Sequence, residues 1–287
     1  MKVKNFLFSY QNILKKEIEK KKYFSFLRKI LNLFLKYFLN TLKKRFSKKF
    51  KDLDKLDNKI LFEKNLNSLF IHFNTDKGKI FKIKDDTVID AHNYSLFYEK
   101  YLQKFKNKDL NFLEIGSHEG KGLASFYYYF PFAKFIGANI NPFQMKFKSN
   151  RIEEVYIDVS SEKILNNFSN YLDENLDIII DDASHNLKDI IISFSVLFKK
   201  LNRGGTYVIE DLDQFKAFKE LNPYGSKELT PMQILYKIKE KKNFKSSFIR
   251  EEDKKYLFEN IENINIEKGS MIINDLNISD IAFIKKK

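Results

Sequence analysis

The chain has 287 residues, no cysteine and a formal net charge of +14. Disulfides and thiolate chemistry are excluded, and the length suits one large domain or one domain with an extension. The charge is uneven: residues 1–50 carry +13 of it, so a generally basic body that binds nucleic acid is not supported.

In the N-terminal stretch "YFSFLRKILNLFLKYFLNTLKKRF", Leu27, Leu31, Phe34, Phe38 and Leu42 recur at helical spacing among Lys and Arg. Residues 1–58 therefore read as a basic amphipathic helical extension. Lys29 and Lys36 interrupt the run too early for a membrane span, and no small-residue cleavage site follows it. The apolar face is expected to pack on the main domain or a second copy, or to lie on an anionic lipid surface; a nucleic-acid arm is the weakest reading, and no nucleic-acid partner is expected. The expectation is a cytoplasmic protein, at most peripheral to the inner face of the membrane, and a homo-oligomer is left open.

Residues 59–287 alternate strands with helices. "NFLEIGSHEG" is strand, glycine turn and helix start; "AKFIGANINP", "EEVYIDVSS", "LDIIIDDASH" and "GGTYVIEDLD" supply strands two to five. The stretch 186–201 is a helix whose buried face carries Ile190, Ile191, Phe194, Leu197 and Phe198. "ENINIEKGSMIIND" and "DIAFIKKK" close the sheet, with a turn at Lys268-Gly269. The pattern predicts an α/β domain, a doubly wound, mostly parallel sheet of seven strands with helices on both faces.

In such sheets ligands bind beyond the carboxyl ends of the strands. There the chain sets Gly116, Gly120 and Gly122 after strand one, with Glu114 inside that strand, where an acid needs a reason. The glycine spacing is not the G-x-G-x-x-G of dinucleotide binders. Strand four ends in Asp181 and Asp182 with His185 three residues on, and strand five ends in Glu210 and Asp211. Carboxylates gathered at adjacent strand ends repel one another unless a cation lies among them, and an all-oxygen set suits magnesium better than zinc. The competing reading of Asp181 and Asp182 is N-capping of the helix that follows.

"LEIGSHEGKGLASF", "IIIDDASHNLKDIIISFSVLF" and "LNRGGTYVIEDL" resemble the signature segments of the macrocin/mycinamicin sugar O-methyltransferase group, within the class I S-adenosylmethionine-dependent methyltransferases. "FNTDKG" and "HNYSLFYEKYL" resemble the segment preceding strand one in bacterial relatives. The resemblance covers residues 68–215. It implies a Rossmann-like fold, S-adenosylmethionine and Mg²⁺ as cofactors, and a sugar hydroxyl of a glycan or glycosylated metabolite as acceptor. Carried over, the metal ligands are Asp182, Glu210 and Asp211, and His185 is the general base. The cofactor set is Glu114, Gly116, Ser117, Gly120, Asn139, Asn141, Asp158 and Asp181. One departure stands out: the second strand ends in Asn139 where the family places an acid for the ribose hydroxyls. The segment with Lys77, His92, Tyr94, Tyr98 and Glu99 reads equally as a cover over the site or an ordinary turn. His72 and His118 read as structural or solvent-facing. The alternatives are another oxygen acceptor, a catalytically degenerate scaffold module and, last, a dinucleotide enzyme.

Overall fold

The computed structural model describes residues 51–55, 59–83, 86–172, 176–212 and 214–287. The expected helix of the N-terminal extension lies outside the described residues. Seven strands form the main sheet: β1 (Leu110–Ile115), β2 (Ala133–Asn139), β3 (Ile152–Tyr156), β4 (Leu176–Asp181), β5 (Leu201–Ile209), β6 (Ile261–Lys268) and β7 (Asp280–Lys286). Their order is β6-β7-β5-β4-β1-β2-β3. The pairs β2–β3, β1–β2, β1–β4 and β4–β5 are parallel, while β7 runs antiparallel to both β5 and β6. The sheet is therefore mixed.

Strand alternation divides the core in two. Phe112, Ile178, Ile180 and Val208 face one apolar layer, and Leu113, Ile179, Tyr207 and Ile209 face the other. The first layer is closed by α1 (Leu66–Phe73), α2 (Ser95–Leu102) and α3 (Lys121–Tyr129). The second is closed by α4 (Glu162–Tyr171), α5 (Leu187–Leu197), α6 (Pro231–Lys239) and α7 (Glu251–Asn260). Rings dominate the first layer: Phe126 lies edge-on to Phe70 and Tyr98 and tilted against Phe112. Truncating one such ring to Ala costs about 3–5 kcal/mol.

Two local outcomes differ from the sequence reading. The helix expected over 186–201 ends as α5 at Leu197 and tightens into a 3₁₀ turn over Phe198–Lys200. Between β6 and β7 there is no tight turn at Lys268-Gly269 but an excursion carrying its own small ladder, Ile272–Ile273 against Leu276–Asn277. A second hairpin, Ile80–Lys82 against Val88–Asp90, precedes α2. Ser270 joins the two, its hydroxyl donating to the Ala91 carbonyl and its amide to that of His92. Among the described residues, no helix is long and apolar enough to cross a membrane.

Candidate active site

The backbone ladder continues past the strand ends and sets both acid pairs. The Asp182 amide donates to the Ile115 carbonyl at 2.9 Å, and the Glu210 amide to that of Asp181 at 3.0 Å. Gly116, at φ +89°, makes the first junction feasible, because a β-carbon there would lie 1.8 Å from the Asp182 carbonyl oxygen. Its glycine is thus required by the neighbouring strand as well as by the cavity it lines. Successive residues point to opposite sides. Asp181 turns inward, accepting from the Tyr207 hydroxyl at 3.1 Å, while Asp182 turns to the open end. Neither caps α5: Asn186 does, its side chain accepting from the Lys188 amide at 3.1 Å.

Asp182, His185 and Asp211 converge, each offering a ligand atom within 4.8 Å of the others. His185 Nε2 is 3.5 Å from Asp182 Oδ1 and 3.9 Å from Asp211 Oδ2. His185 and Asp211 both hold left-handed backbone, at φ +52° and +54°. Such conformations are uncommon outside glycine and persist where the surroundings impose them, often at functional sites. Two carboxylates and an imidazole at this separation form a donor set that a divalent cation fits.

Glu210 lies beside that group, paired with Lys77. Lys77, buried to 2% exposure, places its ammonium 2.7 and 2.8 Å from the two Glu210 oxygens and 2.5 Å from Asp182 Oδ2. The Glu114 carboxylate lies 3.8 Å from the same nitrogen. Burial alone would lower the Lys77 pKa, but Asp182, Glu210, Glu114 and Asp76 outweigh it and hold the pKa well above the usual lysine value. Burial pushes the Glu114 carboxyl up to about 7, against the pull of Lys77. The Tyr98 hydroxyl donates to Glu210, and the Tyr94 hydroxyl to Asp211 Oδ1 at 2.5 Å. His92 Nδ1 lies 3.2 Å from the same Asp211 oxygen. Glu99 has another task, accepting from the Leu66 amide where α1 begins. Lys77, His92, Tyr94 and Tyr98 therefore form a buried wall of the acid cluster.

Beside the cluster lies a cavity of about 410 Å³ lined by Gly116, Asn139, Asp158, Ser160, Asp182 and Ser184, among others. That volume falls in the range of about 300–1,000 Å³ typical of small-molecule sites. Of the residues expected to hold a cofactor, Gly116, Asn139 and Asp158 line it. Ser117, Gly120, Asn141, Glu114 and Asp181 are not among its lining. Gly120 shapes the start of α3 at φ +80°, where a β-carbon would strike Met145, and Glu114 belongs with Lys77. The Asn139 amide nitrogen is 3.5 Å from the His118 carbonyl and 3.4 Å from Gln144 Oε1. Asp158 accepts from the amide and hydroxyl of Ser160 at 3.1 and 2.6 Å. His118, expected to be structural or exposed, lines the cavity and is exposed, whereas His72 is simply exposed. Lys77, Ser160 and Ser184 were not anticipated as site residues. A lysine within a polar turn gives no sign that it will be buried.

No family model matches the chain. It is 30% identical over 128 residues to the 8-demethyl-8-alpha-L-rhamnosyl tetracenomycin-C 2'-O-methyltransferase of Streptomyces olivaceus, covering 42% of this chain and 33% of that protein. Over 128 residues it is also 28% identical to the mycinamicin VI 2''-O-methyltransferase of Micromonospora griseorubida, covering 42% and 32%. The chain resembles the macrocin/mycinamicin sugar O-methyltransferases. The matched region spans about a third of the length of these curated relatives. Among solved structures, the MycE methyltransferase of the mycinamycin biosynthetic pathway, in complex with Mg, SAH and mycinamycin VI, superposes with a TM-score of 0.57 at 20% identity. That match covers 78% of this chain and 54% of MycE. A second MycE structure, with Mg and SAH, gives 0.58 at 21% identity with the same coverage. At this identity the likeness establishes the Rossmann-like fold.

Proposed function

We propose that the chain is an S-adenosylmethionine-dependent O-methyltransferase that uses Mg²⁺ and acts on a sugar hydroxyl. One observation carries the reading: Asp182 belongs both to the small-molecule cavity and to the Asp182–His185–Asp211 cluster. A cofactor in the cavity and a cation at the cluster would share that residue, which brings a methyl donor and an acceptor oxygen to one place. The sugar rests on likeness to relatives whose names specify sugar positions.

S-adenosylmethionine supplies an electrophilic methyl group on a sulfonium leaving group. A divalent cation, when bound, would offset the carboxylate repulsion and supply Lewis-acid chemistry to the acceptor hydroxyl. Asn139, Asp158 and the Gly116 backbone would hold the cofactor, the Asn139 amide replacing a charge-assisted bond by a neutral one. Asp182 and Asp211 would hold the cation. His185 would accept the acceptor's proton on Nε2 during methyl transfer, the sulfonium sulfur leaving with the carbon–sulfur bond pair. The distances of that nitrogen from both carboxylates also favour a second reading, with His185 as a third ligand.

Calorimetric titration with S-adenosylhomocysteine, with and without Mg²⁺, tests the proposal. Saturable binding is expected in both conditions. Saturable binding of NAD with none of S-adenosylhomocysteine would overturn it. Binding without turnover on any sugar acceptor would favour another acceptor or the scaffold alternative.

A further inference from the structure

At the end of the sheet opposite the acid cluster, the ladder between β4 and β5 is interrupted. Leu176 faces Leu201 and Ile178 faces Thr206, so β4 advances two residues while β5 advances five. The surplus stretch, Asn202-Arg203-Gly204-Gly205, bulges from the ladder. Gly204 stands there at φ +76°, with open space where a β-carbon would be. Between this bulge and the segment leading into β1 lies a hollow of about 340 Å³, with buried Phe105 and Leu110 in its lining. Strand β1 is six residues long, which puts the hollow about 17 Å from the acid cluster. Charge around it is unbalanced: Lys104, Lys108, Arg203 and Lys285 line it against Asp109 and Asp177. Asp177 is committed to the Asn111 amide at 2.9 Å and the Asn202 side chain at 2.8 Å, and Lys285 pairs with Glu262 at 2.7 Å. Lys104, Lys108 and Arg203 form no ion pair with any of the described residues. The Lys104 and Lys108 ammoniums lie 4.7 and 5.7 Å from the Phe105 ring centroid, and Lys104 reaches the Gly204 carbonyl at 3.4 Å. Desolvation, Lys285 and Lys108 hold the Lys104 ammonium below the usual lysine value, with Glu262 opposing them.

We infer that this hollow is a second binding site, separate from the acid cluster, and that its ligand is a phosphate group. Three unmatched cations about one concavity are a local excess in a body whose bases and acids otherwise nearly cancel. The Arg203 guanidinium is a planar fork that matches phosphate oxygens, and the two ammoniums add rotatable donors. A diphosphate balances three cations better than a carboxylate, which carries one charge. The Phe105 ring beneath them lowers the local dielectric and strengthens each attraction. At Gly204 the absent side chain lets a ligand approach the backbone. A soluble phosphate ester or diphosphate and a lipid headgroup offer this same chemistry. Phe132, 58% exposed, stands at the same end of the sheet, next to the Ala133 that pairs with Leu110, where it would meet a lipid surface. The inference is independent of the methyltransferase reading, since none of these residues belongs to the cavity or the acid cluster.

The experiment compares two full-length variants of equal charge, so that the basic N-terminal stretch contributes alike to both. One carries Lys104→Gln, Lys108→Gln and Arg203→Gln. The other carries Lys239→Gln, Lys241→Gln and Lys245→Gln, at exposed lysines outside the hollow. Inorganic pyrophosphate is titrated calorimetrically into each and into the wild type. Affinity should fall by about tenfold or more in the first variant and stay within about twofold in the second. Co-sedimentation with phosphatidylcholine vesicles, with and without phosphatidic acid, separates the two sources. A loss of sedimentation confined to the first variant assigns the phosphate to a lipid headgroup. Equal sedimentation, with pyrophosphate affinity lost only in the first variant, assigns it to a soluble compound. Two variants that match each other in both measurements would overturn the inference. Should the triple replacement fail to fold, Arg203→Gln alone, at an exposed side chain, is compared with Lys245→Gln in the same way. A pyrophosphate or vesicle affinity lower by about threefold or more in Arg203→Gln is then expected, and equal values would overturn the assignment.

Discussion

Asp182 and His185 are three residues apart and face the same cluster, yet their loss should have different effects. Asp182→Asn replaces a charged donor by a neutral one, so Mn²⁺ or Mg²⁺ affinity should fall by about tenfold or more and excess metal should partly restore turnover. His185→Ala should cut turnover by about 10²–10⁴ if the imidazole is the proton acceptor, with metal affinity retained and no rescue by metal. Loss of metal affinity in His185→Ala would assign it to the ligands instead. Asp181 gives a test of stability. Burial, opposed by the Tyr207 hydrogen bond, pushes its carboxyl up to about 7 from an ordinary value of 3.8. A raised carboxyl favours the folded state at low pH, with the full contribution below the unfolded value and progressive loss as pH climbs toward 7. The swing is on the order of 4 kcal/mol. In urea titrations of the metal-free protein, Asp181→Asn should therefore gain stability relative to wild type between pH 4 and 7. A difference that does not vary with pH would show that Asp181 is charged throughout.

Among elements, the short N-terminal strand is the clearest case. Lys51 and Asp52 pair in parallel with Phe147 and Lys148, and Leu53 is buried. Asp54 accepts from the Tyr127 hydroxyl, the Ser149 hydroxyl and the Asn150 amide. The boundary expected at residue 58 thus falls beyond a segment already attached to the body. A protein spanning 51–287 should be more stable to urea than one spanning 59–287 by about 2–4 kcal/mol, from one buried leucine and its hydrogen-bonded neighbour. Equal midpoints would show that the pairing contributes nothing. The main-sheet strands were legible because buried runs such as "IIIDD" and "TYVIED" end in acids, and few folds tolerate that except at a crevice. The Asp182–His185 spacing was legible for the same reason. Lys77 was not, since a lysine's burial depends on what surrounds it in space. The small ladder at Ile272–Asn277 escaped because four residues of strand leave no measurable alternation. Ser117 and Gly120 were grouped with the cavity by their turn, whereas the turn's own packing accounts for Gly120.

For the whole molecule, the charge map and the site belong to different parts of the chain. The body after residue 50 is nearly neutral, with 37 basic and 36 acidic residues, so long-range steering of a charged acceptor by the body is weak. Recognition there must come from local groups at the cavity. The buried lysine has a further consequence, in the order of assembly. Lys77 lies 105 residues from Asp182 and 133 from Glu210. Its counter-charges leave the ribosome long after it does, and until they arrive the ammonium cannot be buried without a large penalty. Closing loops of that length comes at an entropic cost, and contacts so distant in sequence slow the folding of a domain. Residues 66–102 should therefore dock last, after β4 and β5 have brought both acids together. The apolar layer made by α1 and α2 then stays open through most of synthesis, and that interval is when the chain is most exposed to aggregation.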